Sequence, residues 1–252
     1  MTGEAIYVYA IADADLAEAE VAALRAIGDS RVKVISEAPV AAVVSTVDAD
    51  EFSASALRKN LEDLQWLEGI ARAHNAVVAD LARQRPVAPV RLATVFVSDD
   101  NVREMLRTRA REFAGALGRV RGRCEWALKG FLIAEPVSAK PSDSTEGSSP
   151  GRSYLERRRA EREGRNLQLE RAVAEAETVH ERLGGLSLAS KRYPLQDRRL
   201  TGYRDEMVLN AAYLLPEGEP TELRRAVDDG QSQHLRLELV GPWAPYSFAT
   251  LE

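Results

Sequence analysis

The sequence predicts an α+β protein built from two tandem ferredoxin-like (βαββαβ-type) domains, with additional helices and a C-terminal Pro/aromatic tail. Three observations carry that prediction. The apolar patterns read β-α-β-β-α-β twice along the chain, with no residue-level repeat between the halves. At 252 residues and 45% hydrophobic, the chain can bury a core in each of two small domains. A Ser-, Pro- and Gly-rich stretch falls inside the second half and not between the halves, so the boundary is set near residue 120: domain 1–120 carries an extra helix, and domain 121–252 holds a mobile loop over 136–152 and a tail over 241–252.

In the first half, "AIYVYAI" is β-branched and aromatic and reads as a strand. Asp13 can cap a following helix in which Val21, Leu24 and Ile27 recur at helical spacing before Gly28. "RVKVIS" and "VAAVVSTV" flank Pro39, which cannot donate to a ladder, and read as two strands with a tight connection. Leu57, Leu61, Leu64, Leu67, Ala71, His74, Val78 and Leu81 then recur at steps of three and four, which predicts one long helix. "PVRLATVF" reads as the fourth strand. A further amphipathic helix from about Asp99 puts Val102, Leu106, Ala110, Phe113 and Leu117 on one face.

In the second half, "CEWALKGFLIA" reads as a strand. "EPVSAKPSDSTEGSSPGR" is nearly free of apolar groups and cannot offset its ordering entropy, which predicts the mobile loop. Tyr154 to Leu183 reads as a long helix ending at Gly184-Gly185, with Leu169, Val173, Ala176, His180 and Leu183 on its core face and an Arg/Glu-rich first part projecting beyond the core. "SLASKRYPL" and "EMVLNAAYLLP" follow as strands, "EPTELRRAVDDG" as a short helix, and "HLRLELVG" as a strand alternating Leu235, Leu237 and Leu239.

The balance of 34 basic and 39 acidic residues gives a formal charge of −5, so no global field draws the chain to nucleic acid or to a lipid membrane. The single cysteine, Cys124, excludes an internal disulfide and a multi-cysteine metal site, and suits a reducing compartment. The opening residues lack a signal-peptide pattern and no run approaches the 18 or so apolar residues of a membrane span; a cytoplasmic protein is expected.

Chemistry has no anchor in the sequence. His74, His180 and His234 are far apart, none has a second ligand at metal spacing, and His74 and His180 fall on apolar helix faces, as hydrogen-bonded structural histidines do. Phosphate-binding glycine loops, a nucleophile elbow and zinc-protease motifs are all missing. No catalytic residue, cofactor or metal is assigned. The basic run "YLERRRAEREGR" is interrupted by Glu156, Glu161 and Glu163, the pattern of a solvated helix or a protein-docking face through Tyr154, Arg158 and Arg162, more than of a nucleic-acid patch. The strands "VAAVVSTV" and "VLNAAYLLP" do not follow the aromatic pattern by which RNA-recognition domains stack bases.

Seven segments in order, "YVYAI", "HNAVV", "PVRLATVF", "CEWALKGF", "GRSYLERRR", "NAAYLLP" and "LVGPWAPYSF", resemble the gas vesicle protein family GvpF/GvpL over nearly the whole chain. Departures are Leu92-Ala93 where the family tends to have Phe-Gly, Ser153 for a usual Ala, and Ala244 for a usual Pro. The resemblance implies a non-enzymatic accessory protein of gas vesicle formation, acting with the small hydrophobic shell protein GvpA as an assembly factor or minor vesicle component. A shell monomer exposing apolar surface would aggregate unless a partner held it. A different class, an enzyme or sensor with a small-molecule site at the domain junction, would need converging polar groups in a pocket.

The tail "GPWAPYSF" bears on both. Its prolines stiffen the chain and stop the last strand, so that Trp243, Tyr246 and Phe248 emerge in fixed geometry. They form a lid over the protein's own domain junction, a contact site for the shell protein or another accessory protein, or both, with Trp243 expected to behave as lid and Phe248 as contact.

Overall fold

In the computed structural model, residues 3–133, 150–196, 205–218 and 220–249 are described. They form two compact units: Met1–Glu125 together with Pro242–Glu252, and Trp126–Gly241. The tail, which element order attaches to the second half, belongs with the first unit.

The first unit is organised by β1 (Glu4–Asp13), whose apolar residues occupy both faces and are buried on both. It pairs antiparallel with β3 (Val40–Asp48), which pairs antiparallel with β2 (Val32–Glu37). With β4 (Ala88–Pro89) on the far side of β1, the order β2-β3-β1-β4 is the ferredoxin-like one. A bulge between Val8 and Ala10 turns Tyr9 and Ala10 to the same face as Tyr7, while Ile6, Val8 and Ile11 face the other way. A strand buried on both sides needs cover on both. One face carries α1 (Glu18–Val21), α2 (Ala49–Phe52), α3 (Ala54–Asn60) and α4 (Leu64–Ala82); the other carries α5 (Asp99–Thr108) and α6 (Ala110–Val120) through Val102, Leu106, Phe113 and Leu117.

Four elements of this unit are more broken than periodicity predicts. The first crossover helix is reduced to α1 and a 3-10 turn at Ile27–Asp29, where Gly28 and Asp29 both have positive φ. This turn presents the Ile27 N–H to the Tyr9 hydroxyl at 3.1 Å, which a continuous helix could not do. The long leucine-patterned helix is two helices, because the Asp63 carboxylate caps Gln65 and Trp66 and restarts the chain as α4. "PVRLATVF" yields only β4 and β5 (Val95–Phe96), both against β1. Between them Ala93 takes φ 60° and donates its N–H to the Tyr7 hydroxyl at 3.0 Å. The helix predicted from Asp99 is α5 and α6, interrupted at Arg109, and its apolar face is kept.

The second unit is built on β6 (Arg123–Leu132), α7 (Pro150–Leu186), β7 (Ala189–Arg192), β8 (Met207–Pro216), α8 (Thr221–Asp229) and β9 (Leu235–Trp243), in the order β7-β8-β6-β9. The two helices approach each other closely: a Cβ at Gly230, which caps α8, would lie 2.5 Å from Val179 Cγ2 on α7. The core stripe of α7 is Ala172, Ala176, Val179 and Leu183, whereas Val173 is 44% exposed; Ala172 takes the place that the predicted stripe gave to Val173, and its small side chain lets the helix approach. The helix runs through Gly184-Gly185 because the Ser187 hydroxyl satisfies the carbonyls of Leu183 and Gly184. Of the predicted loop over 136–152, residues up to 149 lie outside the described residues, and the backbone from Pro150 is helical. β9 continues through Pro242, which an edge strand tolerates.

Candidate functional site: the C-terminal tail and the aromatic cluster beneath it

Strands β1 and β3, helix α4 and the turn at Ala93 converge on a buried polar cluster in the first unit. The Tyr7 hydroxyl accepts the Ala93 N–H, so its own proton is assigned to His74 Nδ1, 3.1 Å away on α4. That leaves the His74 ring proton on Nε2, which is buried without a hydrogen-bond partner among the described residues. His74 is 2% exposed, and burial lowers its pKa to about 4. Burial raises the Tyr7 hydroxyl in turn. Tyr9 shares a 2.8 Å hydrogen bond with Ser45 on β3. Around them stand Phe52, edge-on to Tyr7 at 5.8 Å, and Trp66, whose indole N–H donates to Glu51 at 2.6 Å. The bonds from Tyr7 to Ala93 and His74 and from Tyr9 to Ser45 tie β1 to α4 and β3, which holds α4 on the sheet.

The tail lies beside this cluster. After β9 it coils into a tight turn, with the Phe248 and Ala249 N–H groups both donating to the Pro245 carbonyl. Its small residues are the buried ones: Ala244, Pro245, Ser247 and Ala249. Ser247 donates both its backbone N–H, at 2.8 Å, and its hydroxyl to the carboxylate of Glu125, itself only 8% exposed. The Tyr246 hydroxyl donates to Asn75 Oδ1 at 2.8 Å, and its ring lies 6.2 Å from that of His74.

The aromatics divide differently from expectation. Trp243, the expected lid, is 51% exposed; Tyr246 is 37% exposed but tied down by its hydroxyl; Phe248, the expected contact, is half-buried. Ala244, Pro245, Ser247 and Ala249 take up the space near the sheet, and the ring of Trp243, the last residue of β9, stands half in solvent. Arg158 and Arg162 lie on the exposed part of α7 in the second unit, Arg158 within 3.9 Å of Glu161; the Tyr154 side chain lies outside the described residues. The sequence pointed to the tail but missed Glu125, Ser247 and Asn75, since nothing in their local pattern announces a bond to a residue more than a hundred positions away.

His180 is a structural histidine of the same kind, its Nδ1 2.7 Å from the Tyr213 hydroxyl on β8. Cys124 is a half-buried thiol. Among the described residues no cluster of three or more His, Cys, Asp or Glu side chains could hold a metal, and no helix is long and apolar enough to cross a membrane.

The family described as "Gas vesicle synthesis protein GvpL/GvpF" matches residues 5–250. The chain belongs to the GvpL/GvpF family. It is 37% identical over 227 residues to gas vesicle protein L of Streptomyces sp. (strain CB03234), covering 88% of this chain and 85% of that one. Its fold is that of the GvpF crystal structures from Anabaena sp. PCC7120 (TM-score 0.70, 19% identity, 99% and 98% of the two chains) and Microcystis aeruginosa (TM-score 0.66, 17% identity, 98% and 99%). The GvpL/GvpF match spans both units and the tail up to the last described residues.

Proposed function

We propose that this GvpL/GvpF protein is a non-enzymatic, cytoplasmic accessory factor of gas vesicle assembly that binds the shell protein GvpA, keeps it from aggregating and hands it to the growing vesicle. The observation that carries the binding part is Trp243: a large apolar ring, half in solvent, on a segment whose neighbours are pinned by Ser247 and Tyr246. A preorganised aromatic loses little entropy on docking, and Trp and Tyr are the residues most often found as interface anchors. A partner that binds the free shell monomer holds it soluble by mass action. Tyr246 and Phe248 would flank the anchor, and the exposed arginines Arg158 and Arg162 of α7 would serve a second docking face together with Tyr154.

The test is co-expression with GvpA, measuring how much GvpA stays in the soluble fraction and co-purifies. Capture by the parent protein and reduced capture by Trp243→Ala supports the reading. Equal GvpA solubility with and without the protein would end it.

A further inference from the structure

We infer that residues 242–249 are a strap without which the first unit is incomplete, so that a unit whose strands and helices end near Glu125 reaches its native packing only when a segment more than a hundred residues later returns to it. Two burial facts carry this. Ala244 belongs to the core on the Tyr7/Tyr9 face of the first sheet, and Ala249, fully buried, belongs to the core on the opposite face. A short segment that contributes to both cores passes round the rim of the sheet and closes the layers on either side of it.

The polar contacts point the same way. Glu125 is a buried carboxylate, and two of the hydrogen bonds it accepts come from Ser247, one from the backbone and one from the hydroxyl. Withdrawing the strap strips two donors from an acid that the folded chain buries, and a buried carboxylate that loses its donors costs more than the bonds gain. The bond from Tyr246 to Asn75 fastens the strap to α4 next to His74, so the strap also bears on the helix that the Tyr7–His74 pair positions. The second unit, Trp126–Gly241, is thus inserted between two parts of the first. During synthesis the first unit cannot close until residue 249 has been made, although its own strands are finished long before.

The experiment is amide hydrogen exchange by mass spectrometry on the full chain and on Ala249→Asp, whose charge cannot occupy a fully buried alanine site. The expected result is exchange about tenfold faster or more in β1, α4 and α6, with β8 and α8 changed less than about twofold. A synthetic peptide of residues 242–252, added in excess to the variant, should restore protection in the same three elements. Unchanged exchange in the first unit, or a rise spread equally over both units, overturns the strap. Should Ala249→Asp fail to accumulate, Ser247→Ala is the milder probe: several-fold faster exchange confined to the first unit supports the strap, and parent-like rates there overturn it.

Discussion

The two units reach one strand order by opposite means. In the first, the crossover from the central strand β1 to the edge strand β2 has shrunk to a four-residue helix and a turn, both faces of the sheet are covered, and a distant segment completes it. In the second, the crossover is a 37-residue helix whose described side chains up to Leu167 contribute little to the core. The difference teaches where the hydrophobic stabilisation sits: burial on both faces of β1 makes the first unit dense and intolerant, while α7 carries surface to spare. Each unit also sets a helix histidine against a strand tyrosine, His74 with Tyr7 and His180 with Tyr213. The first pair is sealed and the second half open, so equivalent changes should not have equivalent effects.

The largest expected contrast is between the cores. Phe113→Ala empties a fully buried site under the first sheet and should destabilise by about 3 to 5 kcal/mol, visible as a shift of the denaturation midpoint. Leu155→Ala on the exposed start of α7, 67% in solvent, should stay within about 0.5 kcal/mol. Equal effects would mean that the exposed half of α7 is packed in solution.

Acid comes next. An unfolded histidine takes its proton near pH 6.5, and His74 in the folded chain near 4. Between those values the unfolded state holds the extra proton, so stability is full above about 6.5 and falls as pH drops toward 4, by roughly 3 kcal/mol from this residue. Burial, and then the neighbouring Arg192, also lower His180, so its contribution has the same sign. Denaturant midpoints measured across this window should fall for the parent and flatten for His74→Gln; a parent curve flat from 7 to 4.5 would show that His74 is not sealed.

How much of this was legible follows from what periodicity records. The strands, the helix faces at Val102, Leu106, Phe113 and Leu117, and the structural role of His74 and His180 were readable, because alternation and apolar spacing reflect local burial. The breaks were not. The turn at Ile27, the split of "PVRLATVF" at Ala93 and the burial of Ser247 all exist to bring a donor to Tyr9, Tyr7 or Glu125, partners distant in sequence. On the tail, residue type misled. Large rings suggested burial nearest the strand, but the sheet rim takes alanine, proline and serine, leaving Trp243 outside.

The tyrosine hydroxyls sharpen the comparison of the pairs. Tyr7→Phe removes the donor to His74 and the acceptor of the Ala93 N–H, leaving buried groups unmatched, and should cost about 1 to 3 kcal/mol. Tyr213→Phe leaves His180 half in water, where solvent can replace the lost bond, and should cost about 1 kcal/mol or less. Thermal melts of the two variants side by side rank them; the reverse order would place the more demanding network in the second unit.

The smallest expected effect on folding is also the one that separates the tail's two roles. Trp243 is half exposed and outside both cores of the first unit, so Trp243→Ala should move stability by no more than about 0.5 kcal/mol. If it anchors the shell protein as proposed, the same change should weaken GvpA capture by about 2 kcal/mol or more, roughly thirtyfold. Tyr246→Phe should do the converse, loosening the tail by the one bond to Asn75, about 1 kcal/mol, while leaving the exposed ring surface for a partner. Measured as melts and as pull-downs of co-expressed GvpA, the two variants form a crossed pair: the tryptophan acting on capture without stability, the tyrosine on stability with capture retained. A Trp243→Ala protein that melts and captures as the parent does would remove Trp243 from the contact and leave the tail as the closing element of the first unit alone.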